Sequence, residues 1–385
     1  MACVTSCLSI ENSDLLSRLL RTYSDKLQAD IRLDTHIALF YFICGLYPRV
    51  VPGNHIYRSF QLVTSFSIDA SEIIMEHRLT SPHLSDSPAV SPPDLTVCIV
   101  NWNSYDLLSK CLDSIFSTPC QSTLEIIVVD NNSNDGSAEK MEISYPQIQL
   151  IRNMDNRGFG RANNQAIPAG FGRYYLFLNP DTLVLDETFD NMVAFMDAHQ
   201  DAAVATGKVY ESDTRDQIRI SYGDRYPSLN VLLLNDLVTL TGLSRLFPNS
   251  RLIQRCVWTG YNPEQEQIVA QVTGAFMCVR RQAIDEVGVF DEQFFMYMEE
   301  TDWCYRFYQA GWRVYYTPAS AIVHIGEGSS SLRTDREQLY YQSICAYLYK
   351  HHGAISLVAY RVCYYGFVKP MQLLRRGMAS LLKTN

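Results

Sequence analysis

LEIIVVDNNSNDGS, residues 124–137, joins an apolar, β-branched run to a turn made of Asn, Asp and Gly. β-Branched side chains suit a pleated, buried surface, whereas Asn, Asp and Gly favour the tight conformations in which a strand ends. The segment therefore predicts a strand over Leu124–Val129 with Asp130 fixed at its carboxyl end. The same pattern recurs on both sides: LTVCIV (95–100) runs into Asn101–Ser104, and YYLFL (174–178) runs into Asn179, Pro180 and Asp181. Helical periodicity fills the intervals. Ser104 is placed to cap a helix through Phe116, and Glu187–His199 sets Phe189, Val193 and Met196 on one face. Strands alternating with helices point to an α/β fold with a parallel sheet covered by helices. Crossovers in such a sheet are right-handed, and ligands gather beyond the carboxyl ends of its strands. Asn101–Ser104, Asp130–Ser137 and Asn179–Asp181 would then converge on one crevice.

Outward from this core the chain changes character. Residues 1–80 read as helical, with Leu15, Leu19, Leu20 and Leu27 at helical spacing, and show no chemical motif. Residues 81–94 hold Pro82, Pro88, Pro92 and Pro93 among serines, the composition of a linker. The motif-bearing domain occupies 95–331. Within it, residues 228–246 are strongly apolar and read as a helix that either shapes an acceptor pocket or packs in the core. Residues 332–385 form a basic helical tail; from Ser343 onward it has Lys350, Arg361, Lys369, Arg375, Arg376 and Lys383 but no Asp or Glu. That asymmetry suits an interfacial helix on anionic lipid, or equally a helix that packs on the domain.

Composition narrows the function. With 47% hydrophobic and 19% charged residues the chain has the profile of a globular protein, and a formal charge of -9 argues against a nucleic-acid partner. The eleven cysteines include no CxxC pair, and several sit in apolar runs, as buried free thiols do. The expected compartment is the reducing cytoplasm, or the inner face of the cell membrane if the tail binds lipid. No secretory signal is visible, and no uncharged apolar run approaches the roughly 20 residues that cross a bilayer.

Five motifs carry chemistry. Asp130 would accept the imide N–H of a uracil or thymine ring while the turn amides meet ribose hydroxyls. Asn156–Asn164 packs Gly158, Gly160, Arg157 and Arg161 ahead of a short helix, an arrangement suited to a diphosphate or sugar. Asp181, with Asn179 beside it, would hold Mg²⁺ or Mn²⁺ while phosphate oxygens and water complete the shell. His324, at the end of Ala321–Val323, is a candidate further ligand or a structural histidine. Glu299, Glu300 and Asp302 open a helix, and one of them would take a proton from an attacking hydroxyl, with Arg306 pairing Asp302 along the helix. Read blandly, these motifs are strand-ending turns and acidic capping; their order along the chain favours the site.

That ordered set resembles the inverting glycosyltransferases of family two. The likeness covers roughly Leu95–Ser331: the opening strand with Val100, Asn101, Trp102 and Asn103, the Asp130 turn, Asn156–Asn164, the Asn-Pro-Asp form of the family's DxD motif, Gly274 with Ala275, and the Glu299-Glu300-x-Asp302 box with Arg306. The resemblance implies a GT-A type, Rossmann-like mixed sheet flanked by helices. It assigns the base to Glu300, with Glu299 and Asp302 as alternates, and metal binding to Asp181 and His324. Donor contacts would come from Asn101, Asn103, Asp130, Asn132, Asn156, Gly158, Arg161, Asn164, Asn179 and Gly274. The Asn-Pro-Asp form looks most like rhamnosyltransferases of polysaccharide assembly. That implies a dTDP-linked deoxysugar donor, with UDP-hexose as the nearest rival, and a glycan or lipid-linked acceptor. A catalytically silent sugar-nucleotide-binding scaffold is the alternative from another class; it would need no base, and the carboxylate box argues against it.

Overall fold

Four parallel strands build the half of the sheet that holds the first motifs. They are β1 (Leu95–Asn101), β2 (Leu124–Asp130), β3 (Gln149–Arg152) and β4 (Tyr174–Leu178), in the order β3-β2-β1-β4. The computed structural model describes residues 91–243, 262–326, 334–372 and 374–375. The chain divides into two units, Met1–Ser87 and Pro88–Asn385, and every described residue belongs to the second. The helical reading of residues 1–80 and most of the 81–94 linker lie outside the described residues. Helices α1 (Tyr105–Ser117), α2 (Ser137–Ser144) and α3 (Phe159–Ala166) connect the parallel strands. Ser104 does occupy the N-cap of α1, but its hydroxyl donates to Asn101 Oδ1 at 2.8 Å instead of capping the helix. The freed Tyr105 N–H is taken by Asp135 Oδ2 at 3.1 Å.

The second half of the sheet is antiparallel at its joins. After β5 (Thr182–Val184), α4 (Thr188–Ala198), β6 (Ala202–Tyr210), β7 (Ile218–Arg219), β8 (Tyr222–Gly223) and α5 (Leu229–Thr241) come β9 (Gln267–Val269), β10 (Gln271–Val272), β11 (Phe276–Arg280) and α6 (Arg281–Val287). The chain continues through α7 (Glu299–Gln309), β12 (Arg313–His324) and α8 (Arg336–Cys363), then a π-helical turn over Tyr364–Val368. β11 runs antiparallel between β4 and β6, β12 lies parallel to β6, and β5 closes the edge against β12. The sheet is therefore mixed, and β8 with β10 forms a separate two-stranded ribbon.

Alternation along the strands splits the core into two layers, because successive side chains leave opposite faces. Leu95, Val97, Ile99, Tyr174, Leu176 and Leu178 pack with α1 and α4 on one face. Cys98, Ile127, Val129, Tyr175 and Phe177 pack with Trp303 and Phe307 of α7 on the other. A third cluster joins Leu232 of α5 and Phe294 and Met298, ahead of α7, to Ile344, Tyr347, Leu348 and Tyr360 of α8. The apolar 228–246 segment is thus a helix from Leu229, capped by Ser228 accepting from Val231 N–H, and α8 uses one side for packing. Residues 244–246 lie outside the described residues. No helix among the described residues is long and apolar enough to cross a membrane.

Candidate active site

Register sets the first part of the crevice. Asn101 pairs with Asp130 at the carboxyl ends of β1 and β2, and Asn101 Nδ2 donates to Asp130 Oδ1 at 3.0 Å and to Ser133 Oγ at 3.1 Å. Ser133 N–H reaches Asp130 Oδ2 at 3.0 Å. Asp130 is 3% exposed and lies beneath the crevice wall, not on it. Asn103 braces the turn by accepting from Asn134 N–H at 2.7 Å, and Asn132 is exposed in a left-handed conformation with φ 65°.

Asn131, which no motif singled out, is the hub of the next loop. It is 2% exposed; its Nδ2 donates to Asn156 Oδ1 at 2.9 Å and to the Gly158 carbonyl, while its Oδ1 accepts from Asn153 Nδ2 and the Arg157 N–H. A buried amide that satisfies four bonds fixes a loop more firmly than its length would suggest. Gly158 then turns with φ 81° and ψ 179°, a region reserved for glycine. A Cβ there would lie 2.1 Å from the Phe295 carbonyl oxygen, whose own partner is the Phe159 N–H at 2.9 Å. Glycine thus lets the Asn156–Gly158 loop sit directly against the loop that leads into α7. Arg161 and Asn164, on α3, turn away from the crevice: Arg161 pairs with Glu292 at 3.1 Å, and Asn164 bonds both the N–H and the carbonyl of Phe290.

Asn179, Pro180 and Asp181 line the crevice as β4 turns into β5, and His324 faces them from the end of β12. Asp181 Oδ1 and His324 Nε2 are 3.2 Å apart. On the other side of the ring, Arg219 Nη1 stands 3.2 Å from Nδ1. A guanidinium only donates, so Nδ1 accepts and the ring proton sits on Nε2, facing Asp181. Two neighbouring ligands in an octahedral shell with bonds of about 2.1 Å are about 3 Å apart, so the spacing of Asp181 and His324 suits one Mg²⁺ or Mn²⁺, with the ring then carrying its proton on Nδ1 and Arg219 turned from it. No group of three or more such ligands occurs among the described residues, and diphosphate oxygens and water would have to supply the remainder. Arg219 and Arg336 also line the crevice and bring cationic charge that no sequence motif announced.

The acidic box is held in an unusual backbone. Tyr297 (φ 70°) and Met298 (φ 68°) are consecutive left-handed residues immediately before α7. Such conformations cost on the order of 1–3 kcal/mol each and persist where surrounding contacts enforce them. Their effect is to swing Glu299 and Glu300 into the crevice. Glu299 is 4% exposed; burial, then the charge of Glu300, pushes its carboxyl well above the usual range. Desolvation raises Glu300 to about 7. One oxygen of each, Glu299 Oε2 and Glu300 Oε2, is buried with no hydrogen-bond partner. Asp302 is placed otherwise. Fully buried on the far side of α7, it accepts from Arg306 Nε at 2.9 Å, His351 Nε2 at 2.7 Å and Lys350 Nζ at 2.6 Å. Burial alone would raise its carboxyl, but the hydrogen bonds from His351 and Lys350 and the Arg306 charge outweigh it and hold the group below the ordinary value. Asp302 does not line the crevice.

Two cavities meet at Glu300. The crevice, about 340 Å³, has Asn156, Gly158, Asn179, Asp181, Gly274, Glu299 and His324 on its walls. The other, about 290 Å³, opens between α5 and the β8–β10 ribbon. Glu300, Thr273 and Tyr297 line both. A carboxylate so placed touches whatever lies on either side.

Residues 92–339 match the family model described as "Glycosyltransferase like family 2". The chain is 29% identical over 252 residues to the N-acetylglucosaminyl-diphospho-decaprenol L-rhamnosyltransferase of Mycobacterium tuberculosis, covering 60% of this chain and 75% of that protein. It is 25% identical over 236 residues to Rhamnosyltransferase WbbL of Escherichia coli, covering 59% and 82%. Among solved structures, a mannosyltransferase from Pyrobaculum calidifontis in complex with GDP-Man and Mn²⁺ aligns with a TM-score of 0.44 and 17% identity, over 79% of this chain and 84% of that one.

Proposed function

The chain belongs to the family-two-like glycosyltransferases, and from that premise we propose that it is a metal-dependent, inverting transferase that moves a sugar from a nucleoside diphosphate to an acceptor hydroxyl. The observation that supports this best is the buried, unpartnered oxygen of Glu300 at the wall between two cavities. Glu300 takes the proton of the acceptor hydroxyl. The oxygen attacks the anomeric carbon from the face opposite the diphosphate, and the old carbon–oxygen bond breaks with its electron pair leaving on the nucleoside diphosphate. Asp181, with His324, would hold a Mg²⁺ or Mn²⁺, and such an ion would supply positive charge against the diphosphate. Arg219 and Arg336 add charge from the crevice wall in the role the sequence had suggested for Arg161. For the base, Asp130 and Asn101 act from beneath the crevice wall: Asp130 accepts from Asn101 and Ser133 and holds the turn on which Asn103 and Asn132 stand to meet the ring.

The names of the two relatives support a rhamnosyl donor, and the first a lipid-linked acceptor; dTDP is the carrier the sequence resemblance implies, with UDP-hexose as the rival. Thermal shifts with dTDP, UDP and GDP, each with and without Mn²⁺, test the donor side. At about 100 Kd a ligand that binds only the native state adds roughly 2.7 kcal/mol, so one pyrimidine diphosphate should raise Tm only when metal is present. Failure of all three to shift Tm would sink the reading.

The tail supports peripheral membrane contact. Ile355, Val362, Tyr365 and Phe367 are exposed, and Arg361 and Lys369 lie among them. Vesicles containing anionic lipid should co-sediment the full chain, and an Ile355→Ser, Val362→Ser, Phe367→Ser variant should stay in the supernatant. Equal sedimentation of the two would rule the contact out.

A further inference from the structure

Resting on the transferase reading, we infer that Ser343 of α8 is a positioning residue for the acidic box: it holds the turn that aims Glu299 and Glu300 into the crevice, and the rate of transfer depends on that hold. The turn needs one from outside. Tyr297 and Met298 are consecutive left-handed residues, and such a pair persists only where surrounding contacts enforce it. The Met298 carbonyl also accepts the first hydrogen bond of α7, from the Asp302 N–H at 2.8 Å. A rotation at Met298 therefore passes straight into the helical turn that carries the two glutamates.

One face of α8 meets this turn residue by residue. The Ser343 hydroxyl donates to the Met296 carbonyl at 2.7 Å, the Tyr340 ring stands edge to face with Tyr297 at 5.7 Å between ring centres, and Met298 is buried in the cluster that holds Ile344, Tyr347 and Leu348. Positions 340, 343, 344 and 347 are three and four apart and share one side of a helix. One residue before Met296, the Phe295 carbonyl accepts from the Phe159 N–H of α3 at 2.9 Å. Two successive carbonyls are thus held by two separate elements. The Ser343 bond is the directional part of the α8 contact. A serine inside a helix ordinarily bonds a carbonyl three or four residues back, as Ser356 of α8 does with His352 at 3.0 Å. Ser343 is 6% exposed and instead directs its hydroxyl to a carbonyl 47 positions earlier in the chain. Met296 lines the crevice, Met298 the second cavity and Tyr297 both, whereas Ser343 lines neither, so it acts through the turn and touches no substrate.

Ser343→Ala removes the bond without weakening α8, because alanine is the better helix former. Turnover is read as release of nucleoside diphosphate from dTDP-rhamnose or UDP-glucose with Mn²⁺, water serving as the acceptor. The Ala variant should lose at least about tenfold in kcat while KM for the donor changes less than about twofold, the pattern of an interaction that matters in the transition state. The limb of its pH–rate profile near 7 should move to lower pH, because a loosened Glu300 carboxyl regains water. Ser343→Thr keeps a hydroxyl and should restore both. Amide hydrogen exchange over residues 297–302 reads the hold without turnover: it should quicken at least about tenfold in the Ala variant, with residues 105–117 of α1 unchanged. Unchanged exchange overturns the inference, and so does quickened exchange with kcat and the limb left in place. A loss of kcat that the Thr variant shares, with the limb unmoved, marks a packing defect and overturns it as well. If the unsubstituted chain releases no nucleoside diphosphate, the transferase reading itself falls, whatever the exchange shows.

Discussion

Glu300→Gln is expected to lower kcat by about 10²–10⁴-fold, the usual contribution of a positioned general base, and at the same time to make the protein more stable. Both effects have one cause. The fold takes this carboxylate out of water and leaves Oε2 without a partner, so its proton affinity rises until it titrates at about 7. A carboxyl whose folded value lies above its unfolded one binds more protons in the native state. Its contribution to stability is present below the unfolded value and is lost as pH climbs through the folded value. At pH 8 the charged form is therefore a burden on the fold, on the order of 1–3 kcal/mol, and Gln removes it. Turnover has the opposite dependence: the base must be ionised, so kcat should rise through about pH 7 and then level off. Urea midpoints and a pH–rate profile measure both. Glu299→Gln is the necessary control, because its carboxyl, pushed up by burial and then by the Glu300 charge, lines the same wall. If that variant loses turnover and Glu300→Gln does not, the base has been assigned to the wrong neighbour.

Asp302→Ala is expected to be the most destabilising single change in the site, by about 3–5 kcal/mol, because it leaves Arg306, Lys350 and His351 packed around a missing anion. The Asp302 carboxyl is held below its ordinary value, so its contribution is present above the unfolded value and disappears as pH falls through the folded one. The variant's deficit should accordingly be full at neutral pH and shrink in acid. Asp302→Asn keeps the shape and part of the hydrogen bonding and should lose less, which provides a folded comparison if the Ala variant does not accumulate. An Ala variant with an unchanged urea midpoint would show that the cluster is not what holds α7.

How much of this was legible beforehand follows from the range of each signal. Leu95–Asn101, Leu124–Asp130 and Tyr174–Leu178 were readable because a strand and the turn that ends it are neighbours in sequence. Their parallel pairing then places Asn101 beside Asp130 by register. The antiparallel joins of β11 announce nothing locally, since the strand passes on both sides for reasons of sheet order. Asp181 and His324 were legible as residue types in turns, but Arg219 was not: it lies on a two-residue strand and meets His324 across 105 positions. Arg161 was the misleading cation. Its helix begins at Phe159, and the turn of that helix carries its side chain round to Glu292. Asp302 belonged visibly to the acidic box, yet its isolation from Glu299 and Glu300 depends on a histidine 49 residues further on.

The family-model match ends at residue 339, whereas the pair that grips α7, Lys350 and His351, comes after it. The motif-bearing segment is therefore not a detachable cassette. Grafting residues 95–331 into another scaffold would transfer the acids and leave behind the bolt that seats them. The shape of the acidic box is completed from outside its own signature, by a helix that follows it in the chain.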